Sequence, residues 1–335
     1  MSGLSDHPET RNITYRQALN EALDEELARD PNVFLMGEEV AEYNGAYKVS
    51  QGLWAKYGSK RVIDAPISEA GFAGLGIGAA MVGLRPVIEF MSWSFSYVAF
   101  DQVVNNAPNM LTMSGGQFNV PITFRGINGP AHMIGATHSH ATECLYANFP
   151  GLKVVTPASP RDAKGLLKTA IRDDNPVLVL ESELMYSHKG YVEPPETELL
   201  IPLGSAEVKR EGSDVTIICY AQTVPMAMAA AKQLQSEGIN AEVLDLRSIK
   251  PLDLNAILTS VAKTHRVVIA EQNRPFCGIG AELTFQIQRD IFDELDAPVV
   301  RVTQEEVPTP YNERLELAIL PNEEKIVAAV QNVCA

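Results

Sequence analysis

Glu69 stands at a handover between two kinds of structure in residues 61–95, RVIDAPISEAGFAGLGIGAAMVGLRPVIEFMSWSF. A short apolar strand at Val62 and Ile63 ends at Asp64-Ala65-Pro66, because proline lacks a ladder donor and turns the residue before it away from the helical region. In open α/β sheets ligands collect beyond the carboxyl ends of strands, so a carboxyl group placed there is a candidate for proton transfer. The same position also suits capping, with Ser68 as N-cap and Glu69 in the first turn, where an acid favours the helix dipole. A second chemistry-bearing stretch is residues 128–143, NGPAHMIGATHSHATE, with His132, His138 and His140. Histidines on a glycine-containing loop suit acid/base work. The His-x-His spacing with Glu143 would suggest zinc, but no cysteine or second histidine pair completes a ligand set nearby.

Two further patterns read either way. Trp93, Phe95, Tyr97 and Phe100 crowd the end of the strand PVIEF, as a core cluster or as a flat surface on which a ring could stack. Gly71, Gly74, Gly76 and Gly78 fall inside a segment of helical length, and each costs about 0.5–1 kcal/mol relative to alanine. That cost implies something packed close against the backbone, either another chain or a cofactor. Within it, Gly74-Leu75-Gly76-Ile77-Gly78-Ala79 fits the dinucleotide pattern G-x-G-x-x-[GA], the basis for a nicotinamide oxidoreductase as an alternative. The first glycine is too far from the preceding strand, and Glu89 and Asp101 bracket rather than occupy the spacing of roughly 20 residues expected of a ribose-binding acid.

The elements that must position these groups alternate regularly. Residues 14–28 have the pattern of an amphipathic helix, and strands follow at 32–37, 86–90, 121–124, 152–155 and 177–180. Helical stretches at 95–106 and 161–172 separate them. Residues 190–204, GYVEPPETELLIPLG, are an expected linker. Strands at 214–219, 241–246, 266–270 and 299–302 then alternate with helices at 224–236, 252–262, 281–292 and 323–332. The expectation is α/β with two parallel-sheet domains: 1–189, a linker at 190–204, and 205–335. No catalytic constellation stands out in the second.

At 335 residues, 46% of them hydrophobic, the chain can fill two cores. A net charge of -15, spread along the chain, argues against nucleic acid and anionic membrane as partners. Cys144, Cys219, Cys277 and Cys334 are scattered without C-x-x-C spacing, which suits a reduced compartment. The first residues, MSGLSDHPETRN, resemble neither a signal peptide nor an organelle presequence, so a bacterial-type cytoplasm is expected, and a processed organellar chain would look similar.

The segments DAPISEAGFAGLGIGAAMVGLRPVIEFMSWSFSYVAFDQVVN, MSGG, FRG, HSH and PGLKVVTPASPRDAKGLLKTAIRDDNPVLVLE closely resemble the beta subunits of the pyruvate dehydrogenase component of 2-oxo acid dehydrogenase complexes. The resemblance spans about residues 13–330. It implies a transketolase-like pyrimidine-binding domain followed by a transketolase-type carboxyl-terminal domain. It also implies oxidative decarboxylation of pyruvate with transfer of the acetyl group to lipoamide, on thiamine diphosphate shared with an alpha subunit in an alpha2beta2 heterotetramer. In this family Glu69 hydrogen-bonds the pyrimidine ring nitrogen, Phe95 stacks on the ring, and Met91 and Ile67 line its pocket. Ile67, Phe72 and Phe95 are then expected to bury Glu69. His138 is the functional histidine beside the lipoamide channel. Thr137 and His140 depart from the usual Gln-His-Ser-Gln and leave the hydrogen bonds there open. Ile122, Ala170, Ile171, Asp173 and Asn175 match positions that bind a structural potassium ion. The second domain implies assembly and docking onto a lipoyl-bearing acetyltransferase core. No Gly-Asp-Gly occurs in the chain, so Mg2+ and the diphosphate are expected to be held by the alpha subunit. The branched-chain 2-oxo acid dehydrogenase beta subunit is the nearest alternative, and a non-catalytic scaffold is a third class.

Overall fold

The computed structural model describes residues 11–335, which form two compact units: 11–131 with 137–203, and 132–136 with 204–335. In the first unit six parallel strands lie in the order Lys153–Val155, Val177–Glu181, Thr123–Ile127, Arg85–Ser92, Val33–Gly37, Val62–Asp64. Val33–Gly37, Thr123–Ile127 and Val177–Glu181 are buried along their whole length, which is why VFLMG and VLVL read as apolar runs rather than alternations, while TFRGI carries the buried Arg125. The chain passes from Val33–Gly37 to Val62–Asp64 on one side and returns to Arg85–Ser92 on the other. Their carboxyl ends therefore flank a point where the winding reverses.

Helix Tyr15–Arg29 opens with a capping box between Thr14 and Gln17. It packs on helix Pro160–Arg172, whose N-cap Ser159 accepts from the Asp162 N–H. Helix Glu69–Met81 lies against strand Arg85–Ser92. A Cβ on Gly76 would sit 2.7 Å from Ile88 Cδ1, and one on Gly74 would sit 3.2 Å from Gln102 Oε1. These two glycines serve the chain's own packing rather than an outside partner. Gly78 has nothing within 4 Å and stays on the open face.

The expected single helix at 95–106 is broken. A 3-10 turn, Phe95–Ala99, is followed by a wide π turn, Gln102–Asn106, before helix Ala107–Met113. Residues 190–192 of the expected linker lie in strand Lys189–Val192, antiparallel to Arg11–Thr14.

In the second unit the order is Val300–Val302, Val267–Ala270, Val215–Cys219, Ala241–Asp245, Glu207–Arg210. The first four strands are parallel. Glu207–Arg210 is an antiparallel edge that a short polar EVKR gave no sign of. No helix among the described residues is long and apolar enough to cross a membrane.

Candidate active site

Glu69 is the first residue of its helix and is 6% exposed. Ser68 is the N-cap, yet its side chain makes no bond to the helix amides, so the simple capping reading accounts for the position and not for the buried carboxyl group. What meets Glu69 is Glu38, the residue straight after strand Val33–Gly37. Glu38 is 7% exposed and hydrogen-bonds the Glu69 side chain; its Oε1 is buried without a partner. Burial first, and the Glu69 charge and hydrogen bond second, push the Glu38 carboxyl up to about 7. Sequence reasoning missed Glu38. The signal available was the one that picked out Glu69, an acid at the carboxyl end of a buried strand.

The other expected residues are distributed around this edge. Met91 and Phe95, on and just beyond strand Arg85–Ser92, are half-buried, whereas Ile67 is 86% exposed. Ile67 therefore does not bury Glu69, contrary to expectation, because Pro66-Ile67-Ser68 runs over the surface. Phe72 is buried and its ring packs 5.9 Å from that of Phe90. The ring of His138 meets that of Phe95 edge-on with centroids 5.0 Å apart, so the structure brings those two together. His138 Nδ1 is 2.7 Å from Thr137 Oγ1, and its backbone carbonyl accepts from Ser92 Oγ at 3.3 Å. His140 Nδ1 lies 3.0 Å from Ser94 Oγ, its backbone N–H donates to the same oxygen at 3.2 Å, and its ring packs on Tyr97. The two positions that depart from the family pattern thus bond at the same edge, Thr137 to His138 and His140 to Ser94. His132 is exposed in the 132–136 segment, where Met133 N–H donates to Glu316 Oε2 at 3.0 Å.

A second acidic pair lies further along the same sheet. Arg125, fully buried on the strand between those of Glu89 and Glu181, donates from Nε to Glu181 Oε1 at 2.6 Å and from Nη1 to Glu89. Tyr186 Oη adds a bond to Glu181 at 2.7 Å. Burial pushes Glu89 up while Arg125 pulls it down.

Among the described residues no group of three or more His, Cys, Asp or Glu is placed to hold a metal ion, and Glu143 instead accepts from Asn128 Nδ2 at 2.7 Å. The five positions matched to potassium surround the end of helix Pro160–Arg172. The carbonyls of Ile171 and Asp173 accept from Arg85 Nη1 at 3.2 and 3.1 Å, that of Ala170 from Asp173 N–H, and that of Ile122 from Val177 N–H. Asn175 bonds the Asp173 carboxylate through both its backbone and side-chain N–H groups.

Residues 11–189 match the model of the transketolase pyrimidine binding domain, and residues 204–326 that of the transketolase C-terminal domain. A mitochondrial pyruvate dehydrogenase E1 component subunit beta from Caenorhabditis elegans is 52% identical over 322 residues, covering 95% of this chain and 92% of the relative. The corresponding subunit from Rickettsia felis is also 52% identical, covering 96% and 98%. The chain belongs to the pyruvate dehydrogenase E1 beta-subunit family. An E1 beta subunit from Oryza sativa is 51% identical, covering 97% of this chain and 87% of the relative. Among solved structures, a split-gene transketolase described as an inactive beta4 tetramer superposes with a TM-score of 0.79 at 25% identity, covering 96% and 98% of the two chains. For an E1 beta subunit the family implies thiamine diphosphate as cofactor. The nicotinamide alternative finds no support in these matches.

Proposed function

We propose that this chain is the beta half of a pyruvate dehydrogenase that decarboxylates pyruvate oxidatively and passes the acetyl group to lipoamide, with the Glu38–Glu69 pair as its proton-handling centre. The observation that carries the site assignment is the pair itself: two buried carboxyl groups, one straight after strand Val33–Gly37 and one at the start of the helix that follows strand Val62–Asp64, hydrogen-bonded to each other. Such a pair holds a proton that an ordinary salt bridge would not.

The residues at the edge fit the pyrimidine half of thiamine diphosphate. The unpartnered Oε1 of Glu38 leaves acceptor capacity in the buried centre, and Phe95 and Met91 offer half-covered apolar surface. Ile67, open as it is, would gain cover from the ring or from a second chain. When bound, thiamine diphosphate supplies the carbon nucleophile that attacks the 2-oxo carbon and stabilises the charge left as carbon dioxide departs. Glu69 would hold a ring nitrogen through a shared proton, and Glu38 behind it keeps a proton within reach near neutral pH. His138, fixed between Thr137 and Phe95, would guide the lipoyl group. An alpha subunit would supply Mg2+ and the diphosphate site within an alpha2beta2 assembly, and the exposed Leu75 and Gly78 on helix Glu69–Met81, with Val82 at its C-cap, offer it an uncovered face. A lipoyl-bearing acetyltransferase core would be the further partner. A potassium ion at Ile122, Ala170, Ile171, Asp173 and Asn175 would use the second lone pairs of the first four carbonyls, each of which accepts one bond already.

Reconstitution with an alpha subunit tests this reading. Turnover of pyruvate well above that of 3-methyl-2-oxobutanoate is expected, and the reverse preference would overturn the substrate. Calorimetry on the chain alone should show no tight binding of thiamine diphosphate with Mg2+. Stoichiometric tight binding would overturn the shared site.

A further inference from the structure

We infer that Asp64 is a positioning residue that sets the approach of Glu38 to Glu69, an inference that rests on the proposed role of that pair. Asp64 ends strand Val62–Asp64 and is in register with Gly37 on strand Val33–Gly37, the residue before Glu38. Its Oδ1 accepts from the Ala41 N–H at 2.7 Å and its Oδ2 from the Glu42 N–H at 3.1 Å, so one carboxylate grips two consecutive amides of the turn that leaves Glu38. Beside it, the Ala65 N–H donates to the Gly37 carbonyl at 2.8 Å. Asp64 therefore ties the strand end that leads to Glu69 onto the turn that carries Glu38.

That turn needs such a tie. Glu39 sits at a φ of 60°, a left-handed conformation that a side chain bears at a cost and that persists only where its surroundings enforce it. On the other side there is no room to give, since a Cβ on Gly37 would lie 2.7 Å from the Glu89 carbonyl oxygen. The charged groups around Glu38 are few. Glu69 acts on it from helix Glu69–Met81, the Glu89 carboxylate on strand Arg85–Ser92 is taken up by Arg125, Asp64 faces the amides, and Glu39 and Glu42 on the turn are exposed. Loosening the turn would hydrate Glu38 and part it from Glu69, and both changes return its carboxyl toward ordinary acidity.

The test is Asp64→Ala and Asp64→Asn in the assembled enzyme with its partner chain, each in the wild-type and the Glu38→Gln background. Asp64→Ala should lower turnover about tenfold, as misplacement of a reacting group does, and move the pH limb that belongs to the pair about one unit toward acid. Asp64→Asn, which keeps one acceptor oxygen but turns an NH2 donor toward the other backbone N–H, should show smaller changes of the same sign. In Glu38→Gln the limb should no longer respond to Asp64 at all, because residues acting through one another are not additive. Hydrogen exchange at the Ala41 and Glu42 amides reports whether the grip was released. Released amides with an unmoved limb, or an equal shift in both backgrounds, would overturn the inference. If Asp64→Ala does not assemble, Asp64→Asn in the two backgrounds decides by the same criterion. Glu69→Gln runs alongside: wild-type turnover there would sink the proposed role of the pair, whereas its loss with an unresponsive Asp64 would sink Asp64 alone.

Discussion

The first unit contains two pairs of buried carboxyl groups carried on or just beyond its strands, and they differ in one respect. Between Glu89 and Glu181 runs strand Thr123–Ile127, which places the Arg125 guanidinium against both. The strands that lead to Glu38 and Glu69 are adjacent, and among the described residues nothing cationic intervenes. A guanidinium shared by two acids makes a charged, hydrogen-bonded and fixed cluster. Two acids facing each other must hold a proton, and that proton can be exchanged. The second unit follows the first pattern: Glu271 is held by Arg301 and the Gly280 N–H, and Glu242 by Lys263 and Ser260. On the proposed reading of the Glu38–Glu69 pair, the contrast separates structural acids from chemical ones.

Removing the cation should give the largest effect. Arg125→Met leaves Glu89 buried without its cation and Glu181 with the Tyr186 hydroxyl alone, and the loss should be about 3–5 kcal/mol, the range found when one side of a buried pair is deleted. A urea midpoint shift with an unchanged slope would measure it. A loss below about 1 kcal/mol would mean the cluster is not the anchor its burial suggests.

The opposite pattern is expected where no cation stands. Glu69→Gln keeps the shape and loses the transferable proton, so turnover should fall at least about 100-fold with the urea midpoint unchanged. Equal activity in mutant and wild type, assayed with the partner chain and saturating cofactor, would remove Glu69 from the chemistry.

Arg301→Met grades the comparison. Arg301 keeps 21% of its side-chain surface in solvent, and Glu271 retains the Gly280 N–H at 3.0 Å when it is gone. Destabilisation of about 1–2 kcal/mol is expected, smaller than at Arg125, because water and a backbone donor remain. A loss matching that of Arg125→Met would show that exposure of the cation does not govern the outcome.

Why the sequence showed one member of the proposed proton-handling pair and not the other follows from the same geometry. Glu69 stands alone after a proline turn and before a glycine-dense helix, a context that marks it locally. Glu38 comes as Glu38-Glu39 after VFLMG, which reads as a solvated turn, and only the parallel pairing of Val33–Gly37 with Val62–Asp64 turns it inward. The alternating α/β order and the apolar strands were legible because burial on both faces writes itself into composition. The break at 95–106 was not, since helical periodicity does not distinguish a 3-10 turn and a π turn from one continuous helix. The partners of His140 were hidden for a related reason: Ser94 lies just past the end of a strand, and the loop meets it only through the tertiary fold.

The smallest effect is the most discriminating, because its sign reverses intuition. Glu38 has its carboxyl raised from an ordinary 4.5 to about 7, with burial the first cause and Glu69 the second. Between those two values the folded chain binds more protons than the unfolded one, so the stability that the protonated Glu38 contributes is complete below the lower value and is lost as pH rises through the upper. Glutamine in its place is permanently neutral. Glu38→Gln should therefore match the wild type in melting temperature near pH 5 and exceed it by a few degrees near pH 8, while turnover falls. A structural acid behaves otherwise: neutralising Glu181 would leave Arg125 with the Glu89 carboxylate alone and lower the melting temperature on both sides of neutrality. Melting curves of the assembled enzyme at the two pH values distinguish the cases. If Glu38→Gln is less stable at pH 8 as well as at pH 5, Glu38 is ionised and paired with a cation, and the contrast between the two acidic pairs fails.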